Sequence, residues 1–92
     1  MASSVSQVSH PYVTRHPKLC GGSPIVVDTK FPVRSIVHYV LRQGMTPEEL
    51  VREFPQLSLS KIHDALSYYY DHQPEIDEEL AQNTELACRH VQ

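Results

Sequence analysis

The stretch Gln43–Tyr70, Q-G-M-T-P-E-E-L-V-R-E-F-P-Q-L-S-L-S-K-I-H-D-A-L-S-Y-Y-Y, leaves the backbone few choices. Thr46 precedes Pro47, and Glu49 stands three residues after Thr46. That is a capping-box pattern: the hydroxyl accepts from a free first-turn amide and the carboxylate reaches back to the cap amide. Pro47 suits the first helical position, where its missing N–H costs nothing. Leu50, Val51 and Phe54 follow at i+3, i+4 and i+7 from Pro47, one apolar stripe. Pro55 ends the helix, because its ring clashes with an earlier carbonyl and pushes Phe54 out of the α region. Ser58 then caps a second helix, with Leu59, Ile62, Leu66 and Tyr69 (or Ala65) as its buried face. Helix, brief turn, helix is the skeleton of a helix-turn-helix.

Upstream, Pro32 opens a first helix. Val33, Ile36, Val37, Val40 and Leu41 form its apolar stripe, with Arg34, Ser35, His38 and Arg42 on the other side. Gly44 closes it. Tyr12–Thr14 and Pro24–Val27 read as short strands around a Cys20-Gly21-Gly22-Ser23 turn, a hairpin that needs helices or another chain to pack on. Downstream, Pro74 starts a C-terminal helix. Glu75, Asp77, Glu78 and Glu79 crowd its beginning, as the helix dipole favours. Its apolar stripe, Ile76, Leu80, Ala87 and Val91, is sparse. Residues 1–9 are serine-rich, lack periodicity and read as disordered. The expected organisation is a disordered 1–9, a hairpin plus helix-turn-helix domain at 10–72, and a C-terminal helix or partner-binding arm at 73–92. The fold class is mainly α: a small homeodomain-like three-helix bundle with an N-terminal β-hairpin and a C-terminal helix.

A chain of 92 residues forms one domain with a small core, and a partner subunit is the usual supplement, so a homodimer is expected. The formal charge of -3 argues against a strong non-specific polyanion binder, since phosphate affinity comes from Lys and Arg, but leaves room for a small basic patch. The first residues lack an apolar leader segment, and no run approaches the ~20 apolar residues of a membrane helix. The cytoplasm is therefore the expected compartment, with Cys20 and Cys88 as free thiols. His10, His16, His63, His72 and His90 lack ligand spacing to one another or to a cysteine, so no metal is expected. No nucleophile elbow or Ser/His/Asp order occurs. Glu48, Glu49 and Glu53 share one helix and read as capping and solvent charge. The chain is not expected to be an enzyme or to carry a cofactor.

Three stretches carry a resemblance: H-P-K-L-C-G-G-S-P-I-V, T-K-F-P-V-R-S-I-V, and G-M-T-P-E-E-L-V-R-E-F-P-Q-L-S-L-S-K-I-H-D-A-L-S-Y-Y-Y-D-H. Together, over residues 16–78, they resemble the family called domain of unknown function 433. The resemblance implies a dimeric helix-turn-helix bundle with an N-terminal hairpin. It also implies a likeness to VapB-type antitoxins, which accompany PIN-like toxin ribonucleases. Asp28 stands where the family pattern has Gly, and Lys30 and Ser23 stand where Arg is usual, which removes positive charge beside the turn.

In a helix-turn-helix the N-terminal half of the second helix enters the major groove. The residues expected to touch DNA are Ser58, Ser60, Lys61, Ser67 and Tyr68 on that helix, with Arg34 and Arg42 of the first helix as a backbone-positioning pair. Against this stands the plainer reading of a solvated helix face, and Asp64 favours it by repelling phosphate. Tyr68, Tyr69 and Tyr70 point about 100° apart, so they cannot share one core. Tyr69 is then the core residue and Tyr68 or Tyr70 an interface contact; Tyr70 is expected to meet a partner, together with Glu75, Ile76, Leu80, Ala87 and Val91 of the C-terminal helix. The functional expectation is an antitoxin-like autoregulator that binds operator DNA and pairs with a PIN-like ribonuclease toxin. The alternative is a non-enzymatic interaction module that does not bind DNA.

Overall fold

The computed structural model describes residues 10–82. The expected disorder of 1–9 and the expected contacts at Ala87 and Val91 lie outside these residues. Two strands, β1 (Val13–Thr14) and β2 (Ile25–Val26), pair antiparallel with Val13 opposite Val26 and Thr14 opposite Ile25. Four helices follow: α1 (Val33–Val37), α2 (Pro47–Glu53), α3 (Leu59–Asp71) and α4 (Gln73–Ala81). Among the described residues no helix is long and apolar enough to cross a membrane.

The hairpin loop Cys20–Gly22 is a single 3-10 turn, with Cys20, Gly21 and Gly22 all at positive φ. Cys20 is disulfide-bonded, against the expected free thiol. After β2 the chain turns sharply at Asp28, which sits at φ 64. A short polar side chain tolerates this left-handed region better than most, so Asp28 can hold the turn. Thr29 fixes the turn: its hydroxyl donates to the Val26 carbonyl at 2.8 Å and accepts from the Phe31 amide at 2.9 Å. The Val33 amide then bonds the Pro24 carbonyl at 2.9 Å, tying the start of α1 to β2.

α1 is shorter than its apolar stripe suggests. At His38–Arg42 it widens into a π-turn, in which the Gln43 amide reaches the His38 carbonyl at 2.9 Å, five residues back. The extra residue shifts the register, so Leu41 is exposed, not buried. Gly44, at φ 81, reverses the chain into α2. The capping box forms as its sequence predicts: the Glu49 amide donates to Thr46 Oγ1 at 3.1 Å, and the Thr46 amide donates to Glu49 Oε1 at 2.9 Å. Ser58 Oγ accepts from the Lys61 amide at 3.2 Å and starts α3. Leu59 sits in the first, outward turn of α3 and is exposed; Leu57, just before the cap, turns inward in its place.

α3 is the centre of the packing. α1, α2, α4 and β1 all lie against it, and α1 also contacts α4. Val26, Val33, Ile36, Val37, Leu50, Leu57, Ile62, Ala65, Tyr69 and Ile76 form one buried cluster. Each large apolar side chain there contributes about 1.5–3 kcal/mol relative to exposure. Phe31, Tyr39 and Phe54 add an aromatic group beside it, with Phe31 and Phe54 centroids 4.8 Å apart. α4 folds back on this core. Ile76, expected as a partner contact, is fully buried inside the chain, and Leu80 packs beside it.

Candidate nucleic-acid interface

Among the described residues, the outer surface of α3 is left uncovered by the other elements. Ile62, Ala65, Tyr68 and Tyr69 point inward. Ser60, His63, Ser67 and Tyr70 are exposed and recur at spacings of 3, 4 and 3, which places them on one stripe. Lys61 lies beside the stripe, half-buried, with Nζ donating to the Gln56 carbonyl at 3.4 Å. Ser58 is at the same end, with its hydroxyl engaged as the α3 cap.

Asp64, which the sequence sets against DNA binding, does not face this stripe's solvent freely. Its Oδ2 accepts from the Tyr12 amide at 2.8 Å, and its Oδ1 is 3.4 Å from His10 Nδ1. Asp71, the other carboxylate of α3, meets His10 Nε2 at 2.9 Å. Both acidic groups of the helix are thus bonded to the segment that leads into β1.

Three of these expected contact residues are turned inward or already engaged: Arg34, Tyr68 and Glu75. Arg34 is buried, not outward: α4 covers it, and its Nη1 pairs with Glu79 Oε1 at 3.3 Å. Ser35, on the same supposed outer side, is buried too. Tyr68 is buried; its hydroxyl accepts from Arg15 Nη2 at 2.9 Å and its ring stacks on His72 at 4.1 Å. Glu75 is bonded to Arg15, and so is not a free acid for a partner. Arg42 remains half-exposed, with Nη2 3.8 Å from Asp77. Ser60, Ser67 and Tyr70 lie on the surface, and Lys61 is half-buried beside them.

The rest of α4's acidic run is likewise engaged. Asp77 accepts from the Tyr69 hydroxyl at 2.9 Å, Glu79 accepts from Ser23 Oγ at 3.0 Å, and Glu78 accepts from Gln82. Burial, with the Asp77 carboxylate behind it, pushes the Tyr69 phenol above its ordinary value. At Arg15 partial burial acts against the charge, and the bonds to Glu75 and Tyr68 outweigh it, holding the guanidinium above its usual value.

Sequence reasoning missed the polar group formed by His10, Arg15, Asp64, Tyr68, Asp71, His72 and Glu75. The Tyr68–His72 stack and the His72–Glu75 pair have local signals, the i, i+4 and i, i+3 spacings; the hydrogen-bonded pairs are 53 to 61 positions apart. A second concavity, about 360 Å³, lies between the hairpin and the Asp28 turn, lined by Thr14, Arg15, His16, Leu19, Ile25, Asp28, Thr29 and Lys30. Its charges are mixed, and Arg15 is already paired with Glu75. Among the described residues no group of three His, Cys, Asp or Glu side chains is placed to hold a metal ion.

The family model described as protein of unknown function (DUF433) matches residues 13–69, from β1 to the buried end of α3. The chain belongs to the DUF433 family. A crystal structure of a DUF433 member protein from Anabaena variabilis ATCC 29413 superposes with a TM-score of 0.71 at 31% identity, covering 76% of this chain and 68% of that one. No curated protein matches the chain. The DUF433 match spans the hairpin, α1, α2 and α3 as far as Tyr69.

Proposed function

We propose that this chain is a non-enzymatic DNA-binding protein of the antitoxin type, acting as a homodimer on its own operator. In this reading α2, the Phe54–Ser58 turn and α3 are a homeodomain-like helix-turn-helix, with α1 packed behind α3. α3 is the recognition helix. Ser60, His63 and Ser67 supply neutral donors and acceptors for base edges and phosphates, and Lys61 and Arg42 supply charge at the flanks. The observation that carries the reading is that both carboxylates of α3 are engaged within the chain, the largely covered Asp64 by the Tyr12 amide and His10 and the exposed Asp71 by His10.

The net charge of -3 limits what one copy achieves. Few phosphates are neutralised per protomer, so two copies on two half-sites are needed, and the salt dependence is shallow for a DNA binder. The partnership with a PIN-like toxin rests on the likeness of the family to VapB-type antitoxins. The described part of α4 does not offer the acidic arm that the sequence suggests, because its carboxylates are bonded within the chain.

The second reading, a protein-interaction module without DNA, is supported by Leu41, Leu59 and Tyr70, which are 44%, 42% and 58% exposed. A mobility-shift titration on the protein's own promoter, across a salt series, separates the two. DNA binding predicts a shift that survives competitor DNA and weakens with Lys61→Ala. A chain that shifts no promoter fragment at any salt is the interaction module instead.

A further inference from the structure

We propose that the concavity between the hairpin and the Asp28 turn is a binding site for a small aliphatic α-amino acid. The site is independent of the DNA reading, because none of its lining residues belongs to α3.

The hairpin has two faces, since successive strand residues point to opposite sides. Val13 and Val26 oppose each other and meet the core around α3. Thr14 and Ile25, the neighbouring pair, line the cavity on the other side. Ile25 is only 2% exposed, yet it does not belong to the cluster around α3. With Leu19 it gives the cavity an apolar side. The volume, about 360 Å³, lies at the small end of the range that holds small ligands.

The charges open to a ligand come from the turn. Asp28 and Lys30 line the cavity on either side of Thr29, and neither side chain has a hydrogen bond or an ion pair among the described residues. Thr29 is fixed by its bonds to the Val26 carbonyl and the Phe31 amide, so the two charges sit on an ordered turn before a ligand arrives. Arg15 also lines the cavity, but Glu75 already compensates its charge. What remains is one ammonium and one carboxylate, which suits a zwitterion. A phosphate or a dicarboxylate would meet one uncompensated cation and be opposed by Asp28. Two positions apart on one turn, Asp28 and Lys30 match charges carried close together, as on an α-amino acid, and not charges at the ends of a long chain. His16 adds a donor. Its Nδ1 accepts from the Lys18 amide at 3.2 Å, which leaves the proton of the neutral ring on Nε2. Lys30 and His16 then take the ligand's carboxylate, Asp28 its ammonium, and Leu19 and Ile25 its side chain.

A titration of the full chain with L-leucine, followed by NMR at the Leu19 and Ile25 methyls and by calorimetry, tests the site. Saturable shifts at both residues are expected. Isocaproate lacks the ammonium and isoamylamine lacks the carboxylate. Each is expected to bind about tenfold more weakly, since each forfeits a charged hydrogen bond. Asp28→Asn keeps a residue that tolerates the positive φ, and is expected to weaken leucine about tenfold while leaving isocaproate unchanged. Lys30→Gln is expected to weaken leucine and isocaproate alike. The absence of any shift at about 10 mM leucine overturns the site. Isocaproate that binds as tightly as leucine overturns the amino-acid assignment. Leucine binding that keeps its full strength in both variants places the ligand away from this turn and overturns the proposal as well.

Discussion

The outer face of α3 and the acidic face of α4 make opposite uses of polar side chains. α4 carries Glu75, Asp77, Glu78 and Glu79, and each is bonded to another residue of the same chain. α3 carries Ser60, His63, Ser67 and Tyr70 on its exposed stripe, away from the contacts that hold the core. The conspicuous charges in the sequence thus serve folding, and the inconspicuous residues are the ones left on the surface. Formal charge along a helix says little about which face is available, because long-range partners decide it.

If that contrast holds, substitutions in α4 cost stability and substitutions on the α3 stripe cost binding only. The largest effect is expected at Ile76, which is fully buried although it lies in the acidic run. Ile76→Ala should destabilise by about 3–4 kcal/mol in a denaturant titration, the usual range for a large-to-small change in a closed core. A loss under ~1 kcal/mol would mean that α4 only rests on the surface. Arg34→Ala comes next. It leaves Glu79 without its cation in a mostly buried site, at about 3 kcal/mol. Glu79→Gln should recover part of that loss in the double variant, since it removes the stranded charge.

Lys61→Ala should change stability by no more than about 0.5 kcal/mol while lowering promoter affinity several-fold. Equal losses in both would erase the distinction between the two faces. The smallest effect is expected at Asp28. Glycine suits a φ of 64 better, and the gain is partly offset by the looser unfolded chain, so Asp28→Gly should stabilise by about 0.5 kcal/mol. A thermal midpoint lower than the wild type's would assign the Asp28 carboxylate a contact of its own.

The α2–α3 unit was legible because its signals are local. Thr46, Pro47, Glu49, Pro55 and Ser58 act within four residues of the structure they set, and both caps form where the sequence places them. Arg34 and Tyr68 were misplaced for one reason. A helical wheel assigns polar residues outward, but α4 and the β1 segment cover those positions with partners 45 and 53 residues away. Leu59 was misplaced by one step of register at a helix start, where Leu57 takes the inward place. His10 carried no local signal; its role exists only once β1 lies against α3.

The wide turn at His38–Arg42 has a consequence for how such chains change length. A π-turn is an α-helix that has taken in one residue without breaking. Here the surplus sits between the docked half of α1 and the Gly44 reversal, and the residues it displaces, Leu41 and Arg42, point to solvent. That makes the segment a shock absorber for insertions and deletions. One residue can be added or removed there without re-aiming α3, whereas the same edit inside α3 turns everything beyond it by about 100° and pulls Tyr69 out of the core.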